Sequence, residues 1–98
     1  MLVKEILSEL QTATKPLVRK FEQEEGSHVL AIGLKKDVIL KEHKSDIPAR
    51  ILVIKGAVTY IAGEKRTRLE LFDEHIIPIG EYHAVEPHED SIFLVIKK

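Results

Sequence analysis

The stretch LKEHKSDIPARILVIKG, residues 40–56, decides the reading of the fold. Its second half is a run of branched apolar residues of strand length. Ala49, Ile51 and Val53 share one face of that strand, because side chains alternate with a period of two. By the same parity Arg50 faces outward. Lys55-Gly56 breaks the run, and a glycine at the end of a strong apolar stretch marks a bulge or a sharp bend. The first half carries a lone histidine, His43, among lysines and a glutamate, and then Pro48. Whether His43 belongs to a site depends on what surrounds this strand.

The same grammar recurs downstream. HVLAIGL, VILKEH, AVTYIAG, TRLELF, HIIPIG, YHAVEP and SIFLVIKK are short apolar or alternating runs separated by turn formers or charges. Many short strands at this spacing predict an all-β sandwich or closed barrel. Closure also hides strand edges, which a small all-β chain must protect. Thr67 to Leu71 alternates strictly, predicting one buried and one wet face. Ala62-Gly63-Glu64-Lys65 reads as a hairpin tip, and Lys65-Arg66-x-Arg68 beside it as solvated charge. SIFLVI is apolar on both faces, so one face needs the opposite sheet and the other a helix or a second chain.

Upstream, residues 2–12 read as a helix with Leu2, Val3, Ile6, Leu7 and Leu10 on one stripe. Its polar face is not rich in Lys or Arg, which disfavours a membrane-surface role. Pro16 interrupts any continuation. Residues 17–23 fit a helix face (Leu17, Val18, Phe21) or a strand face (Leu17, Arg19, Phe21), and the strand is taken here. Glu25-Gly26-Ser27 reads as a turn. The expected organisation is an N-terminal helix and linker over residues 1–15 and a single β-barrel domain over 16–98.

Totals narrow the function classes. The chain has 98 residues, 44% of them apolar, and a formal net charge of −1 from 15 basic and 16 acidic residues. That mixed charge lacks the basic footprint of a nucleic-acid binder. No apolar run approaches the roughly 20 residues needed to cross a bilayer. There is no cysteine, which removes disulfides, zinc-thiolate sites and thiol nucleophiles together. MLVKEILSEL does not read as a secretory leader, and a cytoplasmic location is the expectation.

The order of these features resembles a small single-domain cupin, the RmlC-like jelly-roll β-barrel, over residues 27–97. Anchored on Gly56, the first cupin motif places His43 and Ser45 at its two histidine positions, Ala49 at its glutamate and Asp37 at its opening glycine. The phrase also looks like a cupin subgroup in which a histidine, a small residue, a proline, a valine and a glycine follow in this order. In that subgroup the metal set is often incomplete and the function unassigned. The second motif fits Pro78-Ile79-Gly80-Glu81-Tyr82-His83 without a gap. Phe72-Asp73 stands where it has Gly-Asp, and Pro87 where it has asparagine. Of the four ligand positions the resemblance implies, His43 and His83 are retained.

A catalytic metal usually takes three protein ligands and an open position. Glu42 and Glu86 have the wrong parity to join His43 and His83. Glu81 has the right parity but precedes its strand, and a neutral Ser45 hydroxyl is a poor ligand. His28 and His75 have inward parity and are candidates for a third ligand, while His88 in a PHED turn reads as solvated. No cofactor is therefore expected, with a divalent metal at His43 and His83 as the alternative. The preferred reading is a binding module that holds a small molecule at His43, Ser45, Tyr60 and His83. The alternatives are a metal-dependent cupin enzyme, of oxygenase or isomerase type, with a nonstandard ligand, and an interaction protein with a filled barrel. A metal-free acid–base enzyme is not favoured, because no Asp lies at inward parity near either histidine. The helix stripe and the two-sided SIFLVI strand, together with the habits of cupins of this size, lead to the expectation of a homodimer.

Overall fold

The structure, a computed structural model, describes residues 2–21 and 28–97. Among them lie one helix and nine strands. Helix α1 is Leu2–Leu10, and the strands are β1 (Leu17–Lys20), β2 (His28–Leu34), β3 (Leu40–His43), β4 (Ala49–Lys55), β5 (Val58–Ala62), β6 (Lys65–Leu69), β7 (Glu74–Ile77), β8 (His83–Pro87) and β9 (Ser91–Lys97). The strand reading of residues 17–23 holds for β1. The turn expected at Glu25-Gly26-Ser27 lies outside the described residues.

The strands form two antiparallel sheets, ordered β1-β2-β9-β4-β7 and β3-β8-β5-β6. Period-two alternation sends Ile51 and Val53 of β4, Phe93 and Val95 of β9, and Val58 and Tyr60 of β5 into one core between the sheets. Arg50 faces outward and pairs with Glu74 at 3.3 Å. The two-sided β9 is explained by two cores. Phe93 and Val95 face the opposite sheet, whereas Ile92 and Leu94 face α1.

Helix α1 is too short to be stable alone in water. It persists because Ile6 and Leu10 are buried against Ala31 and Ile92 on the outer face of the five-stranded sheet. Gly33 is where the helix comes closest: a Cβ there would lie 2.6 Å from Ile6 Cγ2. Arg19 of β1 adds an ion pair to Glu9 at 2.8 Å. Leu7 falls at the margin of the stripe and stays 42% exposed, and regular helix stops at Leu10 rather than at residue 12. Two 3.3 Å backbone bonds, from Thr12 to Glu9 and from Ala13 to Leu10, close the end.

The alternation read across Thr67 to Leu71 breaks after Leu69. Leu69 is buried, but Leu71 lies beyond β6 and is exposed. The chain turns there because Glu70 N–H donates to the Asp73 carboxylate at 2.7 Å and Phe72 takes φ +67°. Phe72 N–H donates to the Val53 carbonyl at 2.7 Å, while Asp73 O accepts from Val53 N–H at 3.1 Å. These two bonds hold a bulky residue in a left-handed conformation that costs L-residues roughly 1–2 kcal/mol. Its ring is 69% exposed, so little packing is lost on removing it. Phe72→Gly is expected to raise stability by up to about 1 kcal/mol, because the backbone strain it relieves outweighs the entropy glycine adds to the unfolded chain. A urea midpoint at or below that of the parent protein would contradict this.

No helix among the described residues is long and apolar enough to cross a membrane.

Candidate functional site

Strand β3 meets β8 through an irregular register that sets His43 directly opposite His83. Their ring centroids are 4.3 Å apart and tilted by 55°. His83 is buried and His43 exposed, so the pair runs from the interior to the surface. Each ring is held by its own strand's approach. His43 Nδ1 lies 2.9 Å from the Lys41 carbonyl, and His83 Nδ1 lies 3.0 Å from the Glu81 carbonyl. A carbonyl only accepts, so Nδ1 carries a proton in both rings. The turn ahead of His83 depends on Gly80 at φ +76°, whose N–H donates to the Ser45 carbonyl at 2.9 Å.

Ser45 is buried beside this pair, but its hydroxyl serves the loop. It donates to the Ile47 carbonyl at 2.8 Å and accepts from Ile47 N–H at 3.4 Å. Leu40, Ile51, Ile77 and Phe93 close in around Ser45 and the histidines, leaving about 20 Å³. That is room for about one water molecule. The structure thus brings His43, Ser45 and His83 together, around a space smaller than the sequence reading anticipated.

The larger hollow lies on the far side of Tyr60. Tyr60 projects inward from β5, and its ring stacks on His83 (5.0 Å, 20°) and contacts His75 of β7 (4.4 Å, 50°). Its hydroxyl donates to Glu81 Oε1 at 2.7 Å. Tyr60, His75 and Glu81 line a cavity of about 180 Å³ with Lys65, Thr67 and Pro78. Glu81 was set aside by its position before β8, and it is the residue the sequence reading missed. Its parity with His83 was the available signal. The extended approach to β8 carries that parity back into the turn and delivers a carboxylate to Tyr60. An acid therefore does reach the histidine cluster, as a glutamate.

The electrostatics follow from burial. Desolvation, aided by the Glu81 carboxylate that accepts its proton, pushes the Tyr60 phenol far up, so it stays protonated. Burial holds His75 below the usual histidine value, with Glu81 pulling it up and the Lys65 ammonium pushing it down. Burial likewise lowers His83, opposed by the Glu81 carbonyl and reinforced by His43. Both rings are thus neutral at pH 7. An imidazole with a lowered folded pKa takes up its proton more readily when unfolded. Its contribution to stability is complete above the unfolded value near 6.5 and is lost as pH falls from there through the lowered folded values. Melting temperature is expected to drop between pH 7.5 and 5, and His83→Gln should shrink that drop. A melt that is flat across this range would contradict the assignment.

The remaining histidines go elsewhere. His28 is exposed at the first position of β2, opposite Lys97 in register. His88, expected to be solvated, is half-buried, with its ring Nε2 hydrogen-bonded to the buried Thr59 hydroxyl and its N–H donating to Ala57 O at 2.9 Å. Thr59 points away from the barrel interior, and the imidazole satisfies it there. Among the described residues no group of three His, Asp or Glu side chains is arranged to hold a metal ion. His43 and His83 offer two donors, and the candidate third ligands His28 and His75 do not complete a set with them. The donors present do not fit the three-ligand centre that catalytic metals usually take.

No protein-family description matches the chain, and no curated protein matches it either. Solved structures do. A cupin superfamily protein from Desulfitobacterium hafniense superposes with a TM-score of 0.79 at 14% identity, covering 86% of this chain and 77% of its own. A cupin-2 domain protein from Shewanella frigidimarina gives 0.77 at 14% identity, over 97% and 90%. A conserved protein of unknown function from Streptococcus pyogenes gives 0.75 at 20% identity, over 84% and 72%. At these identities the likeness concerns the fold, and the fold is the RmlC-like cupin jelly roll with a short N-terminal helix.

Proposed function

We propose that this cupin-fold chain is a binding module for a small molecule, seated in the hollow formed by Tyr60, His75 and Glu81. The observation that carries the reading is the 180 Å³ cavity itself, in which a carboxylate, a neutral imidazole and a protonated phenol converge beside Lys65, Thr67 and the apolar Ala62 and Pro78. Convergent polar groups in an apolar concavity are the usual mark of a ligand site. His83 stacks behind Tyr60, and His43 connects it to the surface. A purely structural barrel would gain nothing from keeping this space open.

The test is a titration of labelled protein with small polar fragments, followed by backbone amide shifts. Saturable shifts confined to Tyr60, His75, Glu81 and their neighbours are expected. Silence across a broad fragment set would return the molecule to the reading of a packed interaction domain. This reading carries no resident metal, because the two imidazoles have no third donor among the described residues. Stoichiometric metal in untagged protein, lost in the His43→Ala/His83→Ala double variant, would overturn that part. A cytoplasmic location goes with the reading, on the strength of a cysteine-free chain.

The chain is further read as a homodimer. Ile96, Arg50 and Ile76 lie in register across β9, β4 and β7 on the outer face of the larger sheet, beyond the cluster that α1 joins. Ile76 is 70% exposed, and an open groove of about 530 Å³ runs beside it past Pro48 and Glu74. Arg50 and Glu74 give this apolar strip one charge of each sign, so a two-fold related copy exchanges favourable pairs. Sedimentation at micromolar concentration should give a dimer that Ile76→Asp shifts toward monomer. A parent protein that is monomeric there contradicts the assignment.

A further inference from the structure

We infer that the hollow beside Tyr60 selects a short carboxylic acid that bears a hydroxyl or amino group close to its carboxylate. The inference rests on the binding-module reading above and names the chemical class of the ligand. Lys65 and Glu81 line the same cavity of about 180 Å³, and they act on the His75 ring in opposite senses, one ammonium and one carboxylate. The hollow therefore has a positive and a negative wall. A ligand that satisfies both carries an anionic end and a hydrogen-bond donor.

The donor requirement is the sharper of the two. Glu81 Oε1 accepts the Tyr60 hydroxyl at 2.7 Å, which fixes the carboxylate and leaves Oε2 with acceptor capacity. Tyr60 commits its one O–H to the hydrogen bond with Glu81, so toward a ligand it offers lone pairs alone. Acceptors thus face the ligand from Glu81 and Tyr60, and a guest without a donor leaves them unanswered. The Lys65 end attracts a carboxylate but is exposed, so it contributes the weaker discrimination. Ala62 and Pro78 supply apolar walls that suit a carbon chain of a few atoms.

The probes are glycolate, lactate and glycine, against acetate and ethylene glycol as controls, titrated at pH 7.5 with amide shifts as readout. At least one of the first three is expected to bind tenfold more tightly than either control. Glu81→Gln should abolish the preference over acetate, and Lys65→Met, at an exposed position, the preference over the diol. Unperturbed amide spectra away from the hollow certify that the variants are folded. Acetate or ethylene glycol binding as tightly as the hydroxy and amino acids overturns this inference and leaves the binding-module reading standing. Neutral fragments that bind while all the acids fail do the same. Failure of every acid together with every fragment overturns both.

Discussion

Gly56→Ala is expected to destabilise the fold by several kcal/mol and to lower the yield of folded protein. Gly56 has φ +76°, and the left-handed conformation alone costs a residue with a Cβ roughly 1–2 kcal/mol. The larger part is steric. A Cβ at Gly56 would lie 2.4 Å from Ser91 Oγ, 2.6 Å from the Asp90 carbonyl oxygen and 3.0 Å from Ser91 Cα. Two of those three atoms are backbone and cannot rotate aside. The third is the hydroxyl of a fully buried serine whose single O–H is shared between the Glu89 and Ala57 carbonyls, at 2.7 and 3.1 Å, and which accepts from Ala57 N–H at 3.2 Å. Moving it leaves Ala57 N–H without its partner in the interior, a further cost of about 1–3 kcal/mol. Domains of this kind have only about 5–15 kcal/mol to lose. A chemical-denaturation midpoint for Gly56→Ala within error of the parent would show that the β4–β5 bend is looser than the contacts imply.

The same glycine made the fold legible from sequence. Counting from Gly56 puts Asp37 at the first motif's opening glycine, and counting back from Pro78 and Gly80 puts Phe72 at the opening glycine of the second. Both residues have positive φ, 75° and 67°, as do Gly56 and Gly80 at 76°. Four turns of the scaffold thus keep a left-handed residue where the motif has glycine, although two of the side chains have changed. Aspartate tolerates that conformation, whereas phenylalanine is held there by the bonds to Val53. The strand faces were legible for a similar reason: alternation is a local rule, and Ile51, Val53, Tyr60, Phe93 and Val95 obey it.

The site was less legible. Parity says which way a side chain points, but not how closely two sheets approach. The histidine positions retained by the motif, His43 and His83, do meet, yet Phe93 and Ile77 fill the volume around them. The open space depends on where β7 of one sheet stands against β5 of the other, and no local pattern reports that distance. Glu81 illustrates the limit. It was discounted because it precedes a strand, and only the inter-sheet geometry reveals that Tyr60 is within its reach.

Ile6→Ala should be the most damaging change in the helix, lowering stability by about 2–5 kcal/mol. Ile6 is fully buried, and it anchors a nine-residue helix through a cluster that includes Leu10, Ala31 and Ile92. Loss of that anchor removes transfer energy, leaves a cavity and frees a helix that has little stability of its own. The close approach at Gly33 makes the claim specific. Gly33→Ala places its new methyl 2.6 Å from Ile6 Cγ2 and 3.5 Å from Leu10 Cδ1, and overpacking of this kind costs about 1–3 kcal/mol. Isoleucine has few rotamers with which to evade it. In the double variant the Cγ2 methyl is gone, and the alanine at position 33 fills part of the space that Ile6 vacated. The two losses should then be less than additive by at least about 1 kcal/mol in a double-mutant cycle. Simple additivity would mean that the helix shifts along the sheet to accommodate either change, and that the contact between Ile6 and Gly33 does not fix its position.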